Sequence, residues 1–258
     1  MKKIVLVIGS FMILLSCGND DDTDNQDQEA QVTFSFTHNW DGAQVTSADF
    51  NTIRYTNEFG EQLSIERLRY LISDVTFIND IGEEFTVDEY NLIDVTNDTG
   101  LRYAPSLTLP QGTYMSMRFT FGFDNEDNVD GAYQDLNSAS FNVPFMLGGG
   151  YHFMQLDGKY IDDTDAETGF NYHVIRAVDN PGTSPTFPQD TFFDVELGPV
   201  TITNDVTIEA KMNIAEWFKN PNTWSLNDLD TVLMPNSMAQ IMMYENGRSV
   251  FSLGNIIQ

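Results

Sequence analysis

Val32-Thr33-Phe34-Ser35-Phe36-Thr37 sets an apolar residue on every second position, with a hydroxyl side chain between. A period of two places the valine and both phenylalanines on one side of an extended chain, which is the pattern of a half-buried strand. The pattern recurs. Leu68, Tyr70 and Ile72 lead through Asp74-Val75 to Phe77, and Phe85-Thr86-Val87 and Tyr90–Asp94 lie beyond the turn Asn79–Gly82. Pro110-Gln111-Gly112 is a turn signal, and Tyr114, Met115, Met117, Phe119, Phe121 and Phe123 after it make a long apolar strand. Tyr151–Leu156, Phe170–Val174, Phe192–Leu197 and Val206–Met212 read as further strands. Asn246-Gly247 suggests a terminal hairpin joining Ala239–Tyr244 to Arg248–Leu253. One short helix is expected near 213–219, where Asn213 can cap Ile214–Lys219 and Pro221 lies just past the end. The stretch Asn220–Asn236 reads as a long loop. The fold class is therefore all-β, an antiparallel sandwich or barrel-like fold over residues 32–258.

The N-terminal segment reads differently. Lys2-Lys3, an apolar run from Ile4 to Leu15, and Ser16 before Cys17 make a secretory signal of the bacterial lipoprotein type. The run is short for a membrane span, so residues 1–16 are expected to be removed, leaving Cys17 as the lipidated first residue. Cys17 is the single cysteine of the chain, which rules out an intrachain disulfide. Residues 17–31 carry Asp20-Asp21-Asp22, Asp24, Asp27 and Glu29 with no aromatic residue, the composition of a flexible acidic tether. An acidic run directly after the cysteine also resembles the surface-export signal of Bacteroidetes lipoproteins. An outer-membrane location follows, facing the periplasm or the cell exterior. Across the chain, 39 Asp and Glu against 12 Lys and Arg give a net charge of −27. That field repels nucleic acid and favours cations and basic partners.

Six segments, in order, resemble one family. Tyr55-Thr56-Asn57-Glu58-Phe59-Gly60 is similar to its "Y-x-N-x-x-G" turn, and Leu68–Val75 to its "L-x-Y-Y-I-S-N-I" strand. Leu109-Pro110-Gln111-Gly112-Thr113-Tyr114 resembles "L-P-x-G-x-Y", and Phe121–Asp124 with Asn128 resembles "x-G-V-D-x-x-x-N". Gly150–Gly158 is similar to "G-Y-x-F-x-x-L-E-G", and Tyr172-His173 to the "Y-H" strand that follows. The order and spacing resemble the MbnP-like copper-binding lipoproteins over roughly residues 32–255. The resemblance implies an exported β-sandwich, copper binding in acquisition or storage, and a di-haem peroxidase-like partner that oxidises a tryptophan to kynurenine. A TonB-type receptor is the other partner considered. Where many members carry "M-x-W-x-W" before "G-Y-x-F", this chain has Pro144-Phe145-Met146-Leu147-Gly148-Gly149. With no tryptophan there, that modification does not carry over to the segment.

His38, His152 and His173 are the candidate copper ligands, since imidazole suits copper. The favoured pair is His38 with His173, from separate strands, and His152 ranks behind them. Met146 and Met154 are the soft thioether candidates, and period two puts His152 and Met154 on one face. The remaining methionines follow strand spacing and read as core. Asp124-Asn125-Glu126-Asp127-Asn128-Val129-Asp130 clusters oxygen donors of the kind Ca²⁺ takes, but lacks the full EF-hand loop. No nucleophile elbow, zinc-protease motif or phosphate loop occurs, and the chain reads as a non-enzyme. The alternative to copper binding is a metal-free outer-membrane module that holds a protein or a glycan.

Overall fold

A computed structural model describes residues 28–258. The expected signal, Cys17 and tether residues 17–27 lie outside that range. Two sheets face each other. In the first, Phe251–Ile257, Val206–Asn213, Glu29–Trp40 and Ala43–Val45 lie in that order, and two short strands, Arg102–Tyr103 and Thr108–Pro110, also pair with Glu29–Trp40. In the second, Phe193–Glu196, Gly112–Phe121, Arg67–Asn79 and Met154–Ile161 form the body, with Glu84–Asp94 paired to Arg67–Asn79 and Glu167–Val174 paired to Met154–Ile161. The first strand begins at Glu29, so its leading residues already belong to the sheet.

The expected alternation holds. Val32, Phe34 and Phe36 are buried with Val206, Ile208 and Ala210, to which they pair in parallel register. Parallel pairing is the exception; the other ladders are antiparallel. A slip of one residue would turn Phe34 and Phe36 to solvent, so the register is set by what they bury. Phe119 meets both edge-on, at ring centroid distances of 6.3 and 5.9 Å. Phe121 stacks on Phe193 at 4.9 Å and touches Trp217 at 5.4 Å. Such pairs add about 0.5–1.5 kcal/mol each beyond the area they bury. Trp40, Trp217 and Trp224 are all buried.

Two local expectations change in kind. Ile214–Phe218 is helical as expected but is a 3-10 turn, with the Asn213 side chain accepting from the Ala215 amide at 3.3 Å. Ala239–Tyr244 is not a hairpin strand; it belongs to the α-helix Ser237–Gly247, capped by Asn236, whose side chain accepts from the Ala239 amide at 3.1 Å. The turn pair is used otherwise. Asn246 is fully buried and donates to the carbonyls of Trp217 at 2.8 Å and Asn222 at 2.9 Å. Gly247 lies against the Trp217 indole, where a Cβ would come within 2.7 Å of a ring carbon. The helix buries Ala239, Gln240, Met243, Asn246 and Gly247, a helical period. Three of those five residues are not apolar, so hydrophobicity alone hides it. Asn220–Asn236 contains no helix or strand, as expected.

The outer face of the second sheet carries its own cover. The segment from Gly131 to Phe153 runs over it and forms a satellite cluster of Leu71, Phe123, Leu136, Phe141 and Tyr151. Beside it, Val143, Ile175 and Val178 make a third cluster. The cover shields a patch of this outer face from solvent.

Candidate functional site

Along Glu167–Val174, Phe170, Tyr172 and Val174 point into the main core, so Asn171 and His173 point outward. In Met154–Ile161, Met154 and Leu156 point inward, while Gln155 and Asp157 share the outer face. Antiparallel register sets Gln155 opposite His173 and Asp157 opposite Asn171, with Arg69 and Arg67 on the next strand. The outer face thus gathers two arginines, a carboxylate, two amides and an imidazole. His152 joins them from the covering segment. A bend at Phe153 breaks the period, because Phe153 and Met154 both enter the main core. The ring of His152 therefore stands edge-on to His173, with centroids 5.2 Å apart, and against Phe141 at 5.6 Å.

Each imidazole has one nitrogen engaged. His152 Nδ1 lies 2.9 Å from the Phe141 carbonyl oxygen, which can only accept, so Nδ1 carries the proton. Its Nε2 is buried and has no hydrogen-bond partner among the described residues. Burial, with the charges of His173, Arg69 and Arg67 nearby, pushes His152 down to about 4, so the ring is neutral at physiological pH. His173 Nε2 meets Asp157 Oδ1 at 2.8 Å. Asp157 also accepts from Arg67 Nε at 2.5 Å and Asn171 Nδ2 at 2.5 Å. Burial alone would raise Asp157, but the hydrogen bond and charge of His173, then Asn171 and Arg67, outweigh it and hold the carboxyl at about 2. Arg69 bonds Gln155 Oε1 at 2.6 Å and the Ala139 carbonyl at 2.9 Å, tying the cover to the sheet.

The favoured pair from sequence, His38 with His173, does not meet. His38 lies between the two sheets, bonded to the Tyr70 hydroxyl at 3.0 Å and edge-on to its ring at 5.7 Å. Tyr70 belongs to the main core, and His173 is on the outer side of the same sheet. The second sheet stands between the two imidazoles. His152, ranked behind, is the residue that meets His173. Met154 does not share its face and lies in the main core, and Met146 is exposed on the 3-10 turn Phe145–Leu147. No sequence motif marks Asp157, Arg67, Asn171 or the Phe141 carbonyl as site groups. Alternation along each strand carries the signal for the first three, but the register that joins them is not written in any one segment.

The acidic loop is also rearranged. Asp124 Oδ1 accepts from the amides of Glu126 at 2.8 Å and Asp127 at 2.9 Å, so it closes its own turn. Asp127 instead joins Asp74 and Asp88, with one carboxylate oxygen from each lying within 4.8 Å of the others. Burial, then the like charges of Asp88, Asp124, Asp74 and Glu126, push Asp127 up to about 6. The folded protein thus keeps this proton at pH values where the unfolded chain has lost it. The resulting penalty on folding grows from about pH 4 and is complete above about pH 6. Asp127→Asn is expected to raise the melting temperature at pH 7.5, with the gain vanishing near pH 4. Equal gains at both pH values in a pair of thermal scans would refute the assignment.

A family model for MbnP matches residues 29–242. The chain belongs to the MbnP family. The match takes in both imidazoles of the outer-face site, Asp157, and the segment that covers them. Among solved structures, MbnP from Methylosinus trichosporium is similar at 14% identity and a TM-score of 0.44, over 70% of this chain and 76% of that one. A search of curated proteins gives no match.

Proposed function

We propose that this MbnP family member is a cell-envelope lipoprotein that binds copper through His152 and His173, in copper acquisition or storage. The observation that carries the reading is the His152–His173 pair, with rings 5.2 Å apart and the buried Nε2 of His152 left without a partner among the described residues. An unpaired buried nitrogen is costly, and a metal ion is the ligand that two adjacent imidazoles suit. The outer contacts have the form expected around metal-bound histidines, one ring N–H on a carbonyl and the other on a carboxylate. The copper reading also draws on the resemblance of Gly150–Gly158 and Tyr172-His173 to the family's copper-binding members. The lipoprotein reading draws on Lys2-Lys3, the apolar run and Cys17.

Copper titration of the purified protein with a competing chelator tests it. Wild type is expected to bind about one copper, and the double variant His152→Ala/His173→Ala to lose on the order of 100-fold in affinity or more, about 2.8 kcal/mol. His38→Ala is expected to keep wild-type copper affinity. Equal binding by wild type and the double variant would end the reading and leave the metal-free interaction module in its place.

A further inference from the structure

We infer that the two imidazoles are held in opposite tautomers by fixed acceptors, so that copper meets Nε2 of His152 and Nδ1 of His173, and that Asp157 is the positioning residue that selects the second of these. The inference rests on the copper reading above and adds which atoms face the ion. Both acceptors are on the page. The Phe141 carbonyl takes the Nδ1 proton of His152 at 2.9 Å and leaves Nε2 with its lone pair free. Asp157 takes the Nε2 proton of His173 at 2.8 Å, which leaves Nδ1 as the ring nitrogen that can turn a lone pair to a metal. Asp157 is itself clamped by Arg67 Nε and Asn171 Nδ2, so its Oδ1 cannot swing away without breaking two further bonds. The backbone under His173 is fixed as well, since its carbonyl accepts from the buried Gln240 side chain at 2.9 Å. The ring is therefore held from both ends. Groups that orient a ligand histidine in this way commonly account for about 10–100-fold in metal affinity.

The chain has three histidines, so a nitrogen-15 spectrum of histidine-labelled protein contains three rings to assign. Without metal, His152 is expected as the Nδ1–H form and His173 as the Nε2–H form. Adding Cu(I) anaerobically should shift Nε2 of His152 and Nδ1 of His173. Asp157→Leu should mix the tautomers of His173 and weaken Cu(I) binding about 10–100-fold. Asp157→Asn keeps an acceptor oxygen, so it should retain the tautomer and lose less than about tenfold in affinity. It also serves as the readout if the leucine variant does not fold. A His173 ring found as Nδ1–H without metal, or Cu(I) shifting its Nε2, overturns the inference. Correct tautomers with no shift at any ring on adding Cu(I) would instead remove the copper reading and leave the hydrogen-bond assignment standing.

Discussion

Replacing Glu61 by alanine is expected to lower the unfolding free energy by about 3 kcal/mol, read from chemical denaturation. Glu61 is nearly buried, and its two carboxylate oxygens accept four hydrogens. Oε2 takes Asn57 Nδ2 at 2.7 Å and the Leu226 amide at 2.7 Å. Oε1 takes the Asn227 amide at 2.9 Å and Asn227 Nδ2 at 2.8 Å. Asn227 is exposed, and water can replace the partner it loses. Asn57 and Leu226 are buried, and each orphaned donor there costs about 1–3 kcal/mol. The contact does more than satisfy donors. It anchors Asn220–Asn236, a segment without helix or strand, and so holds Trp224 against Tyr172 at 4.6 Å. Tyr172 precedes His173, so loosening this anchor should also be felt at the outer-face site. A loss below about 1 kcal/mol would show that the segment is held by its buried side chains instead.

Gly158→Ala is expected to cost about 3 kcal/mol, at the upper end of ordinary overpacking, and to lower the melting temperature by about 6–12 °C for a domain of this size. A Cβ at Gly158 would fall 2.0 Å from the Ser64 carbonyl oxygen and 2.7 Å from a Phe170 ring carbon. The ring could shift, but the carbonyl cannot. Ser64 is bound to the neighbouring strand by its amide, which donates to the Lys159 carbonyl at 2.7 Å, and by Lys159 N donating to its hydroxyl at 3.1 Å. Relieving the clash means parting the chains there. This is a physical reason for glycine after Leu156-Asp157: the position beside the carboxylate that holds His173 has no room for a side chain. A thermal scan showing Gly158→Ala within 2 °C of wild type would contradict the packing.

The site differs from the copper-binding resemblance in one chemical respect. The stretch before Tyr151 offers Phe145, Met146 and three glycines at positive φ, Gly148, Gly149 and Gly150. Side chains at Gly149 and Gly150 would collide with Asp130 and Asn128, at 2.8 and 2.2 Å. The cover is threaded tightly past the Asp124–Asp130 loop. No tryptophan stands there to be oxidised, and the imidazole pair rests on Asp157, Arg67 and the Phe141 carbonyl for its geometry.

What the sequence determined by itself was local. Period two in Val32–Thr37 and Met117–Phe121 marked strands and a buried face, because side-chain direction alternates along any extended chain; a register slip just before Met117 buries Tyr114 and exposes Met115, against the alternation. Period two also told that Asn171 and His173 share a face. It misread Ser237–Gly247, because a helix that buries glutamine, asparagine and glycine shows no apolar stripe. Tertiary structure alone decided which histidines meet. His38 and His173 have equally good strand contexts, and only the order of strands and the side of the sheet part them. His152 reaches His173 through a bend and a covering segment folded back over the outer face. Contacts of that kind depend on register and layer between segments distant along the chain, and neither is encoded within any one of them.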